Sequence, residues 1–257
     1  MDDIKARWSL PRSGLVLIAV ATCLGWNAKA ESDIEQHSAV HAPHSFLLPK
    51  GIPDLPGSYN LQLSPFLQQK NGSPQADLGG HASVGMFDWG GVHLRSLGIK
   101  TTSTLEVIGM TALWRDQARK QGISMIAILG IPTQTSSGVS GNANDGDEHH
   151  GSWGYLLGLT GRWVYSEDFM WDGILHYDFM AKHLIPESGL VFKTWGSLFT
   201  TLDLRATLGS EPTASILPGI KYAIIPSLFL GAGYNAAFGA ASKFDRQFYL
   251  QVEMGRH

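Results

Sequence analysis

Apolar and polar side chains alternate with a period of two in segment after segment of this chain, most clearly from Trp153 onward. Between Ser152 and Tyr165 the residues Trp153, Tyr155, Leu157, Leu159, Trp163 and Tyr165 share one face, and Gly154, Gly158, Thr160 and Arg162 share the other. Successive side chains leave a pleated backbone on opposite sides, so a period of two predicts an extended strand. The next stretch repeats the pattern: Phe169, Trp171, Leu175, Tyr177 and Phe179 oppose Asp172, His176, Asp178 and Lys182. Leu202, Leu204, Ala206 and Leu208 then oppose Thr201, Asp203, Arg205 and Thr207. In a soluble sandwich the charged face would meet water and the apolar face a core. Aromatic residues at both ends of the apolar stripes predict the inverse, an apolar face toward lipid and a charged face lining a lumen.

Strands are predicted at about 58–68, 78–88, 90–99, 103–114, 122–131, 152–165, 169–182, 189–196, 198–208, 214–225, 227–238 and 245–255. The expected fold is all-β, an antiparallel transmembrane β-barrel of about 12 strands. Weak divisions near Trp89 and Gly196 leave about ten as the alternative count. The run Ile216 to Ala240 is apolar enough to compete as a spanning helix, but Pro218, Gly219, Pro226, Gly231 and Gly233 interrupt it. It reads instead as two strands joined at Ile225-Pro226-Ser227. Even strand numbers, short periplasmic turns and long external loops are the rule for such barrels. The long polar stretch Pro132 to Gly151 follows the fifth candidate strand and takes an external position. Arg115 to Gly122 should be periplasmic yet reads as long and charged.

The N-terminus changes the picture by assigning a compartment. Lys5, Arg7 and Arg12 precede the apolar run Gly14 to Leu24, and Ala28-Lys29-Ala30 supplies small residues around a cleavage point. Residues 1–30 are therefore expected to be a signal peptide, too short in its apolar part to span a bilayer as a helix. Val20-Ala21-Thr22 before Cys23 fits a lipidation motif poorly. Cys23 is the chain's one cysteine, so residues 31–257 can form neither disulfides nor thiolate metal sites. Removing residues 1–30 takes the formal charge from −3 to about −5, with no basic patch to suggest nucleic acid. Residues 31–56, broken by Pro43, Pro49, Pro53 and Pro56, read as an irregular periplasmic lead-in, able to fold in part into the barrel mouth, with the barrel at 57–257.

In the last segment Phe248, Leu250, Val252 and Met254 alternate with Tyr249, Gln251, Glu253 and Gly255. This resembles the C-terminal recognition strand of bacterial outer-membrane proteins, although such strands usually end in an aromatic residue and this one ends Gly255-Arg256-His257. The resemblance implies porin-like or transporter-like barrels and no narrower family.

Under this register the lumen would carry Arg162, Asp172, His176, Asp178, Lys182, Asp203, Arg205, Lys221 and Glu253, joined by His81, Arg95, Glu106 and Lys193. Such a set can line a narrow pore for small polar solutes, or pair across strands and fill the interior of a plugged, partner-binding barrel. Asp172, His176 and Asp178 also fit a base with its orienting carboxylates, the basis for a third reading as a lipid-modifying enzyme. No G-x-S-x-G motif accompanies them, and no enzyme is expected. Asp145, Asp147, Glu148, His149 and His150 offer hard and imidazole ligands in the long loop, and His37, His41 and His44 form a smaller cluster in the lead-in. A metal-efflux role follows only if these bind; zincin and EF-hand spacings are absent. Gly231-Ala232-Gly233 lacks the rest of a dinucleotide fingerprint and reads as small lumen-facing positions, while Asn71-Gly72-Ser73 reads as a turn. No cofactor is expected; the partners are outer-membrane lipid, small polar solutes and, in one reading, a larger envelope assembly.

Overall fold

Twelve antiparallel strands close on themselves in the computed structural model: β1 Tyr59–Lys70, β2 Ser73–Phe87, β3 Gly90–Ser96, β4 Thr104–Asp116, β5 Gln121–Pro132, β6 Gly154–Ser166, β7 Phe169–Asp178, β8 His183–Trp195, β9 Leu198–Thr207, β10 Thr213–Ile225, β11 Leu228–Phe238 and β12 Arg246–Arg256. Each strand pairs with the next, and β12 returns to pair with β1. The structure describes residues 43–99, 104–116, 120–133, 153–166, 168–239, 242 and 244–256, all within one unit, Ala39–His257. No helix among them is long and apolar enough to cross a membrane. Closure leaves no strand edge unpaired, which is what a sheet must achieve before it can sit in hydrocarbon.

The two faces of the wall differ as the alternation predicts. On β6, Tyr155, Leu157 and Leu159 point outward and are more than half exposed, whereas Thr160 and Arg162 are buried. On β12, Phe248, Leu250 and Val252 are exposed while Tyr249, Gln251 and Glu253 are buried. A continuous belt of exposed leucine, isoleucine and valine is incompatible with water and is the lipid-facing surface of a transmembrane barrel. Trp153, Tyr155, Tyr177, Phe179 and Phe238 rim one end of the belt, and Phe87, Trp89, Trp114, Tyr165 and Trp195 rim the other.

The two ends also differ in their connections. Asp88–Trp89, Gly196–Ser197 and Pro226–Ser227 close one end with tight turns, and the short links from β4 to β5 and from β6 to β7 fall at the same end. Each of these hairpins carries a register shift just before its turn, at Gly85/Phe87, Ala112/Trp114, Val164/Ser166, Lys193/Trp195 and Ala223/Ile225. A bulge at a barrel rim turns an extra side chain outward. Met86 with Phe87, Leu113 with Trp114 and Ile224 with Ile225 are accordingly exposed as consecutive pairs. The opposite end carries the long link 133–153, so by the usual asymmetry the tight turns are periplasmic. Asn71-Gly72 is an exception among the external links, a two-residue turn with both φ values positive, 50° and 81°, as a type I′ hairpin requires.

The structure departs from the sequence reading at several boundaries. β2 starts at Ser73 rather than 78, and β8 at His183 rather than 189. Arg115 and Asp116 remain paired with Gly122 and Gln121, so the link that read as long shrinks to 117–120. β7 stops at Asp178, and Lys182 leaves the lumen set: it is exposed in the following turn with φ 57°. Pro65 and Pro218 lie inside strands, and beside them the β1–β12 and β10–β11 pairing skips residues, because proline has no N–H to offer the ladder.

Lipid-facing leucines should reject charge strongly. Leu159→Arg, near the middle of β6, is expected to cost about 2–4 kcal/mol in unfolding from lipid vesicles, whereas an unchanged denaturation midpoint would mean that this face does not meet lipid.

Candidate functional site in the barrel lumen

The lumen is occupied by the chain itself. Residues 43–54 lie inside the wall, buried apart from the half-buried Leu47, and Leu55 onward leads out to β1. The segment meets Glu253 near the tight-turn end through His44, reaches Asp203 and Arg95 at Phe46 and Leu47, and comes back to Asp172 at Gly51 and to Ser83 at Asp54. It therefore enters, rises to mid-barrel and returns. Among the described residues it meets the ladder at Pro56 alone, through a parallel bridge to Gly85. A backbone without strand partners must find them elsewhere when buried.

Wall side chains supply those partners. Three carboxylates accept plug N–H groups: Glu253 from His44 at 2.9 Å, Asp203 from Phe46 at 2.9 Å and Asp172 from Gly51 at 2.9 Å. Three wall donors reach plug carbonyls: Lys221 Nζ to Ser45 at 3.3 Å, Gln251 Nε2 to Phe46 at 3.2 Å and Arg95 Nη1 to Leu47 at 3.3 Å. Four of the five charged anchors, Asp172, Glu253, Lys221 and Arg95, are themselves paired on the wall. Arg162 grips Asp172 with two bonds, of 2.8 and 2.7 Å, and Lys221 donates to Glu253 at 2.7 Å. Arg95 bonds Glu106 and approaches Glu187, which also faces Arg205 at 3.5 Å and His176 at 3.6 Å. On the plug, Lys50 and Ser83 both donate to the buried Asp54. Burial alone would push the Asp54 carboxyl up; Lys50, His93, His44 and the Ser83 hydroxyl outweigh it and hold it well below the usual carboxylate range. Burial draws the Lys50 ammonium downward, against Asp54.

Apolar packing completes the fill. Leu48 is buried among Ile108, Met110, Ile126, Ile128 and Ile174, and Phe46 among Phe66, Leu217 and Tyr249. β4 and β5 are apolar on both faces for this reason: one face meets lipid and the other meets Leu48. A further group, Met170, Val191, Phe199, Ala223 and Phe229, spans β7 to β11 near the tight-turn end. Beside the plug's apex, between Phe46 and Gln62, His81 and Arg95, a cavity of about 20 Å³ remains. That is space for a water site rather than for a solute.

Of the residues expected in the lumen, Arg162, Asp172, His176, Asp203, Lys221 and Glu253 are buried inside it, with His81 and Arg95. Arg205 and Glu106 are half-buried partners of that network. Asp178 and Lys193 keep inward parity at the strand ends, and the Asp178 carboxylate accepts the Met180 and Ala181 N–H groups of the turn. Asp172, His176 and Asp178 do not assemble: the first serves Arg162 and Gly51, the second faces Glu187 and the third caps a turn. His81 and His93 come together instead, Nε2 to Nδ1 at 3.0 Å. Asp145, Asp147, Glu148, His149, His150, His37 and His41 lie outside the described residues. Among the described residues, no group of three or more His, Cys, Asp or Glu side chains is placed to hold a metal ion.

Glu187 and the plug residues are what the sequence reading missed. Ile185, Glu187, Gly189 and Val191 alternate inward and would have extended β8 to include Glu187, but Pro186 masked the run. The plug has no periodicity to find.

No known protein family and no curated protein sequence matches this chain. Several solved structures resemble its fold, among them two outer-membrane proteins matched over most of their length. A porin solved in complex with disordered oligogalacturonate, KdgM, is 9% identical with a TM-score of 0.51, covering 77% of this chain and 99% of its own. An outer membrane channel from Pseudomonas putida F1 is 10% identical with a TM-score of 0.51, covering 88% of this chain and 100% of its own.

The buried Arg162–Asp172 pair has a measurable signature. Arg162→Met leaves a buried carboxylate uncompensated and is expected to cost about 3–5 kcal/mol. Adding Asp172→Leu should recover part of that loss and not all, because the Gly51 N–H then lacks its acceptor, at about 1–3 kcal/mol. Guanidinium unfolding of the two variants beside the parent checks both steps.

Proposed function

We propose that this chain is a bacterial outer-membrane channel for small polar solutes, held closed by residues 43–56. One observation carries the reading: the plug occupies a lumen lined with charge, yet the described strands pair with none of residues 43–55. Side-chain hydrogen bonds and ion pairs can be exchanged for water as a segment leaves, whereas a shared ladder would have to be torn. With the plug displaced, the same Asp172, Asp203, Glu253, Arg162, Lys221 and Gln251 would line a polar passage and supply the partners of a crossing solute. The likeness to outer-membrane channels supports a transport role through fold alone.

On this reading residues 1–30 are a signal peptide removed on export, outer-membrane lipid covers the exposed belt, and the lumen charges serve permeation rather than catalysis. The separation of Asp172, His176 and Asp178 into three different contacts supports that last point. A second reading, a permanently plugged barrel acting through its loops, draws on Phe46 and Leu48 being packed into the wall as in a protein core.

A reversible cross-link separates the two. A Cβ built at Gly189 lies 2.9 Å from the Ser45 Cβ, close enough for a disulfide after a small shift. Ser45→Cys with Gly189→Cys should be silent in a planar bilayer when oxidised and should give discrete conductance steps, like the parent protein, when reduced. Silence of the parent and of the reduced variant at all voltages would reject the channel in favour of the plugged barrel.

A further inference from the structure

We propose that Phe46 is the latch of the plug, and that β10 and β11 carry a socket shaped for its ring. This rests on the gated-channel reading above. Gly219, Gly231 and Gly233 all face inward on neighbouring strands, with Gly219 paired to Gly233 and Lys221 to Gly231. Their missing side chains leave a hollow, and the Phe46 ring fills it. A Cβ at Gly231 would stand 2.9 Å from Phe46 Cζ and 3.0 Å from Lys221 Cγ; one at Gly233 would stand 2.7 Å from Leu217 Cδ2 and 3.4 Å from Phe46 Cζ; one at Gly219 would collide with Phe46 Cε2. Only glycine permits so close an approach at all three positions.

The rest of the socket grips the ring from other sides. Leu217, Phe66 and Tyr249 pack around it. The Lys221 ammonium lies 4.9 Å from the ring centroid while bonded to Ser45 O and Glu253. This is a cation over an aromatic face, in a setting from which most water is excluded. Asp203 and Gln251 hold the N–H and carbonyl of the same residue, so ring and backbone are located together.

A physical asymmetry makes the ring the element that resists release. When the plug leaves, each N–H or carbonyl given up by the wall regains hydrogen bonds in water, but the ring exchanges an apolar socket for water and recovers nothing. Leu48 adds apolar contact on the β4–β5 side, but its surroundings are ordinary side chains that can relax around it. At Phe46 the floor of the socket is the glycine backbone of two paired strands, which has no side chain to rearrange.

Release can be read independently of ion flow. Ser45 is buried beside the ring, so in a Cys23→Ser background the thiol of Ser45→Cys reports plug displacement through its rate of maleimide labelling in the folded barrel. Phe46→Ala is expected to speed labelling about 10- to 100-fold, with Phe46→Leu in between. Gly231→Ala crowds the socket from the wall and leaves every plug residue in place; it should accelerate labelling in the same direction. Faster migration of unboiled protein on a denaturing gel checks that each barrel has formed, and if Phe46→Ala fails to form, Gly231→Ala carries the test. Equal labelling rates in the parent, Phe46→Ala and Gly231→Ala would overturn the latch. Accelerated labelling without any bilayer conductance would keep the latch and reject the channel.

Discussion

The structure turns on a backbone that must be hydrogen-bonded where no strand is available to it. Residues 43–54 lie inside a closed barrel, where most wall N–H and carbonyl groups are already committed to the ladder. Side chains are the remaining source of partners, and Asp172, Asp203 and Glu253 with Lys221, Gln251 and Arg95 supply them. The lumen charges are thus neither loose nor simply paired with one another. Each carboxylate serves both a plug N–H and the electrostatics of the wall, and the Arg162–Asp172 and Lys221–Glu253 pairs keep those acceptors in place. Buried ion pairs of this kind are weak evidence for net stability; what they do here is hold each acceptor against a particular N–H of the plug.

The lumen is also not uniformly polar, and the apolar patches are arranged by what they meet. Ile108, Met110, Ile126 and Ile128 turn inward to receive Leu48, while β10 and β11 withdraw their side chains at Gly219, Gly231 and Gly233 to receive Phe46. The wall is thereby fitted to two particular residues of an otherwise irregular segment. Outside, glycines meet a different need: Gly161 and Gly173 pair across β6 and β7 and are covered by the Trp163 and Trp171 rings. Such aromatic cover shields backbone that would otherwise face the lipid.

Much of the wall was legible because burial in lipid and a two-residue period leave one consistent register. Leu157, Leu159, Leu250 and Val252 had to share a face, and Arg162, Asp172, Asp203 and Glu253 the other, whatever the exact strand ends. The misplacement of Lys182 came from a turn whose geometry the alternation does not encode: Asp178 accepts two turn N–H groups and Lys182 takes φ 57°, so the strand stops where the pattern alone would continue. Glu187 was lost because Pro186 reads as a breaker, although a barrel strand can carry a proline at a local cost in pairing. The His81–His93 contact likewise needed the β2–β3 register before it could be seen.

The sequence by itself determined the class of the wall, the direction of its two faces and the identity of most inward charges, since all three follow from local periodicity and the solvent each face must meet. Only the tertiary structure decided what those charges do. Whether Asp203 lines an open path or holds the Phe46 N–H depends on contacts between residues far apart in the chain. The lead-in that occupies the lumen has no period, no strand and no motif of its own. Its position is set by the wall that surrounds it: by three carboxylates aimed inward and a hollow where three glycines leave room for one ring.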